Sequence, residues 1–244
     1  MSRRVLVTGS ARGIGRAIAL RLAEAGWQVA IHGRTPAPAL DATAAELGSA
    51  LAGVYALELK EDADALWSTV LADGELHALV NNAGIYQPLA FLTADKKAFR
   101  QNAESQLTTN FMAPLVLTRA AALHFASHGG GKILNVASRV GFRGEPNASL
   151  YAASKAALIN LTRSLAVELA PNAIGVFGIA PGWVDTAMVR DGMDERLTEI
   201  LKTLPLGRMA SPEDCAAAAT FLLSDEAAYL SGVTIDINGA SYFH

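Results

Sequence analysis

A tyrosine and a lysine four residues apart, preceded by a serine, are the first residues whose types and spacing indicate chemistry. Tyr151 and Lys155 project from the same face if they lie on a helix. A phenol ordinarily titrates at about 10, and a neighbouring ammonium favours the phenolate, which predicts a tyrosine pKa closer to neutral. Ser138 lies thirteen residues before the tyrosine and can donate a hydrogen bond to a carbonyl oxygen that gains negative charge. The tyrosine–lysine spacing alone also occurs by chance on surface helices, but with the serine and a glycine-rich loop in the same chain it predicts proton transfer at a carbonyl group.

The segment Thr8–Gly15 contains three glycines and is typical of a loop that binds a pyrophosphate. It lies between a short apolar run and an amphipathic segment, which predicts a strand, a turn and a helix. Glycines permit the sharp turn and let backbone N–H groups and the helix N-terminus approach an anion. The spacing is G-x-x-x-G-x-G, and a plain tight turn is the alternative. The loop residues predicted to contact a dinucleotide are Gly9, Ser10, Arg12, Gly13, Ile14 and Gly15.

The residues after the second predicted strand favour NADP(H) over NAD(H). They read His32-Gly33-Arg34-Thr35 and contain no carboxylate to bind an adenosine 2′-hydroxyl. Arg34 offers a planar, permanently charged group suited to a 2′-phosphate, and Arg12 can reach the same phosphate from the glycine loop. For either arginine alone, a solvated loop position is the alternative. The two arginines and the missing acid together predict NADP(H) as cofactor.

These residues must be positioned by a sheet, because short apolar runs alternate with longer amphipathic segments along the chain. The predicted strands are Val5–Thr8, Gln28–His32, Val54–Leu59, Ala78–Asn81, Lys132–Ala137, Ile174–Ala180 and Thr234–Ile237. The predicted helices are Ile14–Ala25, Asp41–Gly48, Asp62–Ala72, Ala94–Ala126, Leu150–Leu169, Asp194–Lys202 and Pro212–Leu223. We expect an α/β fold with a doubly wound, seven-stranded parallel sheet in three layers. No repeat or linker divides the chain, so a single domain over residues 1–244 is expected.

The composition excludes several classes of protein. The 244 residues include 20 Lys+Arg against 23 Asp+Glu, giving a formal charge of −3, and 51% are hydrophobic, which excludes a disordered chain and a basic, polyanion-binding protein. The single cysteine, Cys215, cannot form an internal disulfide and indicates a reducing compartment. Neither a signal peptide nor an apolar stretch of membrane-spanning length is visible. We expect a cytoplasmic protein without a membrane or nucleic-acid partner.

Taken together, these residues resemble the short-chain dehydrogenase/reductase family over essentially the whole chain. The resemblance includes Asn81-Asn82-Ala83-Gly84 after the fourth strand and Pro181-Gly182 with Thr186 after the sixth. It implies a Rossmann fold, hydride transfer at a carbonyl or alcohol, Tyr151 as acid/base and Lys155 bound to the nicotinamide ribose. It also implies that Ser138 orients the substrate oxygen and that Asn110 holds a water in a proton relay. The further residues implied to contact the cofactor are Asn82, Ala83, Gly84, Pro181, Gly182 and Thr186.

Within the family, the C-terminal third is most similar to the 3-oxoacyl-[acyl carrier protein] reductases. Those enzymes dock an acidic carrier protein with basic side chains, but here His128-Gly129-Gly130 and Pro171-Asn172 occupy the corresponding places. We therefore predict an NADP(H)-dependent reduction of a 3-oxoacyl thioester or another small ketone. The alternatives are oxidation of a sugar or steroid alcohol and a non-catalytic dinucleotide-binding scaffold. Relatives are commonly homotetramers or homodimers, and the resemblance implies the same here.

Three further expectations concern the substrate side, the histidines and the C-terminal residues. An aromatic and aliphatic wall suits a modestly apolar carbonyl compound. Its predicted residues are Tyr86, Arg139, Val140, Phe142, Arg143, Glu145, Asn147, Trp183, Met188 and Val189. The five histidines are expected to be scattered, so no metal site is predicted. The segment Ser241–His244 is expected to be frayed, with a subunit contact or a neighbouring active site as the alternatives.

Overall fold

A computed structural model describes residues 3–190 and 197–244 of the chain. The strands are β1 (Arg4–Val7), β2 (Gln28–Gly33), β3 (Leu51–Ala56), β4 (Ala78–Asn81), β5 (Gly131–Val136), β6 (Ile174–Pro181) and β7 (Thr234–Ile237). The α-helices are α1 (Gly13–Glu24), α2 (Pro38–Leu47), α3 (Leu59–Ala72), α4 (Lys96–Leu107), α5 (Ala113–Ser127), α6 (Ser149–Leu169), α7 (Ala187–Arg190), α8 (Leu197–Lys202) and α9 (Pro212–Leu222).

The seven strands form one parallel sheet in the order β3-β2-β1-β4-β5-β6-β7. The chain first builds outward from β1 to β3 and then returns to the other side of β1 with β4. At this reversal the loops after β1 and β4 leave the sheet in different directions, which opens a crevice at the carboxyl ends of the strands. The predicted doubly wound, seven-stranded parallel sheet is confirmed.

Helices cover both faces of the sheet and enclose a separate apolar core on each side. In β1 the side chains of Val5 and Val7 point into one core, and that of Leu6 points into the other, as the period of a strand requires. The first core contains buried residues of α1, α2 and α9, and the second contains those of α3, α5 and α6. Burial on both faces explains why the strands read as continuous apolar runs.

Two predicted elements differ from the observed ones for local reasons. The third strand begins at Leu51 and ends at Ala56 because Glu58 caps α3, so Leu59, predicted as strand, is the first residue of that helix. The predicted helix Ala94–Ala126 is divided into α4 and α5 by a π-helical segment over Thr108–Met112. Pro114 has no N–H to bond the Asn110 carbonyl, which disfavours a continuous α-helix there.

The segment after β6 contains α7 and α8, where a single helix from Asp194 to Lys202 is predicted. Residues 194–196 of that prediction lie outside the described residues. Among the described residues, none of the helices is both long and apolar enough to span a bilayer.

Candidate active site

A cleft of about 510 Å³ lies at the carboxyl ends of the strands, beside the reversal between β1 and β4. Its walls come from the loops that follow six successive strands. Of the residues predicted to bind cofactor or act in catalysis, all but Ser10 and Asn110 line this cleft. The cleft-lining members are Gly9, Arg12, Gly13, Ile14, Gly15, Arg34, Asn82, Ala83, Gly84, Ser138, Tyr151, Lys155, Pro181, Gly182 and Thr186.

The glycine loop has the tight geometry that its sequence predicts. Gly9 and Gly13 adopt φ values of 65° and 56°, which favour glycine. A Cβ on Gly15 would overlap the Asn82 amide nitrogen and the Gly9 carbonyl oxygen, so this position also excludes a side chain. The loop is therefore a backbone cradle in front of α1, open to an anion.

Asn82 fixes that cradle from the neighbouring strand. Its amide nitrogen donates to the carbonyl oxygens of Thr8 and Gly9 at 2.8 and 3.0 Å. The backbone N–H groups of Asn82 and Ala83 both donate to the Thr8 hydroxyl, at 3.0 and 3.1 Å. Asn82 thus positions the dinucleotide loop as well as lining the cleft.

Ser10 lies beneath the loop and away from the cleft. Its side chain is fully buried, donates to the Val7 carbonyl at 3.0 Å and accepts from the His32 N–H at 2.9 Å. His32 continues this support, because its Nδ1 accepts from the Gly9 N–H at 3.3 Å while its Nε2 lies 2.9 Å from the Leu57 carbonyl oxygen. Burial lowers the pKa of His32, which agrees with a neutral ring that accepts at Nδ1.

Arg12 and Arg34 provide two exposed guanidinium groups on the wall of the cleft. Neither forms a salt bridge with another described residue, so both can bind an anion. Lys60 lines the same part of the cleft and was not identified from the sequence. The only signal for Lys60 is its place as the second residue of α3, and the misplaced third strand obscured that position.

Ser138, Tyr151 and Lys155 converge from two adjacent elements. Ser138 follows β5 and caps a short 3₁₀ turn, with its hydroxyl accepting from the Val140 N–H at 3.4 Å. Tyr151 and Lys155 lie in the first two turns of α6 and face the cleft together. The Lys155 ammonium donates to the Val136 carbonyl at 2.8 Å and lies 5.8 Å from the centre of the Tyr151 ring. The predicted spacing therefore brings a hydroxyl, a phenol and an ammonium to one wall.

The environment of Tyr151 differs from the sequence-based expectation. Desolvation raises the pKa of the phenol to about 12, with smaller upward contributions from Tyr86 and Glu145, whereas a hydrogen bond with Ser138 lowers it. Desolvation also lowers the pKa of Lys155 to about 8. The expectation that the ammonium brings the phenol pKa towards neutral is therefore wrong for the free protein, because burial outweighs the hydrogen bond with Ser138, which is the contribution that lowers the pKa. Tyr151 is a protonated phenol, suited to donate a proton.

Asn110 lies behind the cleft in the π-helical segment and is fully buried. Its side-chain oxygen accepts from the Ile85 N–H at 2.8 Å, and its nitrogen donates to the Ile85 carbonyl at 2.9 Å and to the Ser154 hydroxyl at 3.2 Å. The side chain thus fixes the segment that carries Gly84. Pro114 leaves the Asn110 carbonyl without an i+4 donor. The relay role itself stays a prediction.

The cleft is also lined by polar side chains that the sequence did not predict. These residues come from the segment after β4 and from the helices that follow it: Gln87, Ser105 and Thr109. Met188 lines the cleft as predicted, and the Tyr86 ring packs edge-on against Tyr151 at a centroid distance of 5.1 Å. The other described residues predicted for the substrate wall do not line the cleft: Arg139, Val140, Phe142, Arg143, Glu145, Asn147 and Trp183. The side chain of Val189 lies outside the described part of the chain. The wall is therefore mixed, with both apolar and hydrogen-bonding groups.

Two histidines meet a carboxylate at the opposite end of the sheet. Glu75, His124 and His128 place potential ligand atoms within 4.8 Å of one another, before β4 and at the end of α5. The expectation of scattered histidines is wrong here, because Glu75 is distant in sequence and only the fold brings it near. The group lies far from the catalytic wall, and the absence of a metal site stays a prediction.

Comparison with known proteins agrees with the geometry of the cleft. The family model described as enoyl-(acyl carrier protein) reductase matches residues 9–240. A 3-oxoacyl-[acyl-carrier-protein] reductase from Aggregatibacter actinomycetemcomitans is 38% identical over 251 residues, covering 98% of this chain and 99% of that protein.

Two solved structures superpose over nearly their full lengths. A 3-ketoacyl-(acyl-carrier-protein) reductase from Brucella melitensis complexed with NADH has a TM-score of 0.88 and 31% identity, covering 99% of this chain and 98% of that one. A structure described as an NAD(P)-dependent gluconate 5-dehydrogenase from Beutenbergia cavernae with bound NADP has a TM-score of 0.90 and 37% identity, covering 98% and 96%. The chain therefore belongs to the short-chain dehydrogenase/reductase family of oxidoreductases.

Proposed function

We propose that this protein reduces the carbonyl group of a small ketone, 3-oxoacyl thioesters included, with NADPH as cofactor. The observation that carries the proposal is the joint presence of Ser138, Tyr151 and Lys155 on the wall of the cleft that also contains the glycine loop. The protonated state of Tyr151 supports the direction, since reduction needs a proton donor beside the carbonyl oxygen.

The residues of the cleft fit an NADP(H) molecule. The Cβ-free cradle at Gly9 and Gly15 suits a pyrophosphate, and the unpaired Arg12 and Arg34 suit an adenosine 2′-phosphate. Lys155 is expected to hold the nicotinamide ribose. When bound, NADPH supplies the hydride that reduces the carbonyl carbon. The protein's own contribution is to orient the substrate, stabilise its oxygen and deliver a proton.

Each catalytic side chain then has one task. The Ser138 hydroxyl donates a hydrogen bond to the substrate oxygen and holds it beside the phenol. Tyr151 transfers its proton to that oxygen as negative charge develops there. The Lys155 ammonium, although 5.8 Å from the phenol ring, stabilises the phenolate that remains. The buried amide of Asn110 keeps the segment that carries Gly84 in place.

Two observations bear on the substrate: the name of a related reductase, and the residues at the places where such enzymes dock an acidic carrier protein. The matched reductase acts on acyl groups attached to a carrier protein, as its name states. The basic docking residues expected for an acidic carrier are replaced here by His128-Gly129-Gly130 and Pro171-Asn172. We therefore propose a free thioester or another small ketone over a protein-bound acyl group.

A second candidate is oxidation of a sugar acid or another polyol. It is favoured by the 37% identity to the structure described as a gluconate 5-dehydrogenase and by the polar side chains Gln87, Ser105 and Thr109 in the cleft. The two candidates share the same chemistry and differ in substrate and direction.

The deciding experiment follows NADPH absorbance with a panel of 3-oxoacyl thioesters, diketones, keto sugars and steroid ketones, and NADP⁺ reduction with the matching alcohols. We expect turnover with one thioester or small-ketone class and none with Tyr151→Phe, which retains the ring and should bind NADPH normally. Turnover by Tyr151→Phe would refute its role as proton donor. NADPH binding by the wild type without turnover on either panel would support the scaffold alternative.

Three broader proposals accompany this function. One continuous sheet through the chain supports a single domain. The exposed Leu123 and Val167, 60% and 80% accessible on α5 and α6, support a homodimer or homotetramer. The buried, lone Cys215 supports a cytoplasmic location.

A further inference from the structure

Residues 241–244, which follow β7, fold back onto the segment between the catalytic serine and tyrosine. The Arg139 guanidinium donates to the Ser241 hydroxyl at 3.0 Å, and the Tyr242 hydroxyl donates to the Phe142 carbonyl at 3.3 Å. The His244 ring stacks on the Phe142 ring at 3.7 Å with an interplanar angle of 11°. The expectation that this segment is frayed is therefore wrong. We call residues 241–244 the closing segment and residues 138–145 the serine segment.

The closing segment is itself anchored to the end of β7. The Asn238 amide donates to the Tyr242 carbonyl at 3.0 Å, and the Ser241 N–H donates to the Asn238 carbonyl at 3.1 Å. His244 lies 3.1 Å from the Asp236 carboxylate. Gly239 provides the left-handed turn, with φ of 59°, that reverses the chain after the strand. The segment therefore connects the sheet to the serine segment through fixed contacts at both ends.

Arg139 is the central residue of this connection. It is only 5% exposed, and its guanidinium lies 3.5 Å from the Glu145 carboxylate and 5.8 Å from the centre of the Trp183 ring. A buried guanidinium is stable only when charge and hydrogen-bond partners surround it. Ser241 is one of those partners, so the closing segment helps to fix the residue that directly follows the catalytic Ser138.

We propose that Arg139 and the closing segment form a positioning element that fixes Ser138 at the wall of the active site. The contacts of residues 241–244 described above reach the serine segment and the end of β7, whereas the glycine loop is held separately by Asn82 and His32. Loosening the element should therefore displace Ser138 while the glycine loop stays intact. This inference rests on the proposed function for its kinetic readout, but its structural part can be measured alone.

Deletion of residues 241–244 and the pair Ser241→Ala and Ser241→Thr test the proposal. Deletion and Ser241→Ala remove the hydroxyl that Arg139 contacts, and Ser241→Thr retains a hydroxyl as the conservative rescue. Ser68→Ala is the matched control, because Ser68 is exposed on α3 and bonds only within that helix. All proteins are compared for ketone kcat/KM, NADPH dissociation constant, thermal midpoint and amide hydrogen exchange.

We expect deletion to lower ketone kcat/KM by at least about tenfold, the weight of one hydrogen bond to a charged group. NADPH affinity should stay within about twofold. Ser241→Ala should lower ketone kcat/KM by less than the deletion does. Ser241→Thr should retain most of the wild-type kcat/KM. Hydrogen exchange should accelerate in the serine segment and stay unchanged in the glycine loop. Ser68→Ala should match the wild type in every measurement.

Two outcomes overturn the proposal. One is unchanged hydrogen exchange in the serine segment together with unchanged ketone kcat/KM. The other is a parallel loss of NADPH affinity, thermal midpoint and kcat/KM, which indicates general destabilisation. If the deleted protein does not fold, the comparison of Ser241→Ala with Ser241→Thr decides whether the Ser241 hydroxyl helps to fix the serine segment. If the wild type reduces no ketone, the proposed function fails by itself, and hydrogen exchange still decides whether the closing segment fixes residues 138–145.

Discussion

Replacing Lys155 by methionine should remove activity and also change how the stability of the protein depends on pH. Desolvation holds the pKa of Lys155 at about 8, below its ordinary value of 10.5. Below about pH 8 the folded protein therefore carries a charge in a place that disfavours it. Between the two pKa values the unfolded chain binds more protons than the folded one, so the free energy of unfolding rises with pH. Methionine carries no proton and removes this dependence.

The magnitude follows from the pKa values. One pKa unit corresponds to about 1.4 kcal/mol, so lowering the pKa from 10.5 to about 8 costs about 3 kcal/mol at neutral pH. Methionine also loses the hydrogen bond to the Val136 carbonyl, which offsets about 1 to 3 kcal/mol of the gain. That loss is nearly independent of pH. The difference in the free energy of unfolding between Lys155→Met and the wild type should therefore shift by about 2 to 3 kcal/mol in favour of the wild type between about pH 7 and about pH 10.

Urea unfolding of the wild type and Lys155→Met at several pH values, without added dinucleotide, measures this difference. The raised pKa of Tyr151 contributes stability that is lost above about pH 10, so the series ends there. Lys97→Met is the control, because Lys97 is exposed on α4 and should show no such trend. A difference between Lys155→Met and wild type that stays constant over the series would refute the conclusion that desolvation controls this lysine.

The remaining predictions concern the cofactor side. Arg34→Ala should raise KM for NADPH by about 10- to 100-fold and leave KM for NADH within about twofold, because an exposed charge-assisted contact is lost. Arg16→Ala is the control, because Arg16 lies on α1 and pairs with Glu46. Equal effects of Arg34→Ala on both cofactors would argue against a 2′-phosphate site. Gly15→Ala should weaken the binding of both cofactors by about 5- to 150-fold, measured by fluorescence titration, because its Cβ overlaps the Asn82 amide at a cost of about 1 to 3 kcal/mol. Asn82→Ala should also weaken the binding of both cofactors, because it releases the Gly9 carbonyl. Unchanged affinity would show that the glycine loop is rigid without the Asn82 amide.

Much of the candidate site could be predicted because its signals are local. The glycine loop needs backbone conformations that glycine favours, and the Tyr151–Lys155 pair needs only the period of a helix. Continuous apolar runs identify buried parallel strands, and so the seven-stranded sheet was predictable. The third strand was misplaced by three residues because Leu57 and Leu59 continue its apolar run, although Leu59 belongs to α3.

The amino-acid sequence by itself determined the sheet, the glycine loop and which side chains are candidates for catalysis. Tertiary structure alone decided the direction in which the pKa of Tyr151 shifts, since desolvation depends on everything packed around the phenol and outweighs the hydrogen bond with Ser138. It also decided the partner of Arg139, whose contact with Ser241 joins residues 102 positions apart. Spacing along the chain specifies backbone geometry over a few residues, whereas burial and long-range contacts arise only when distant segments pack together.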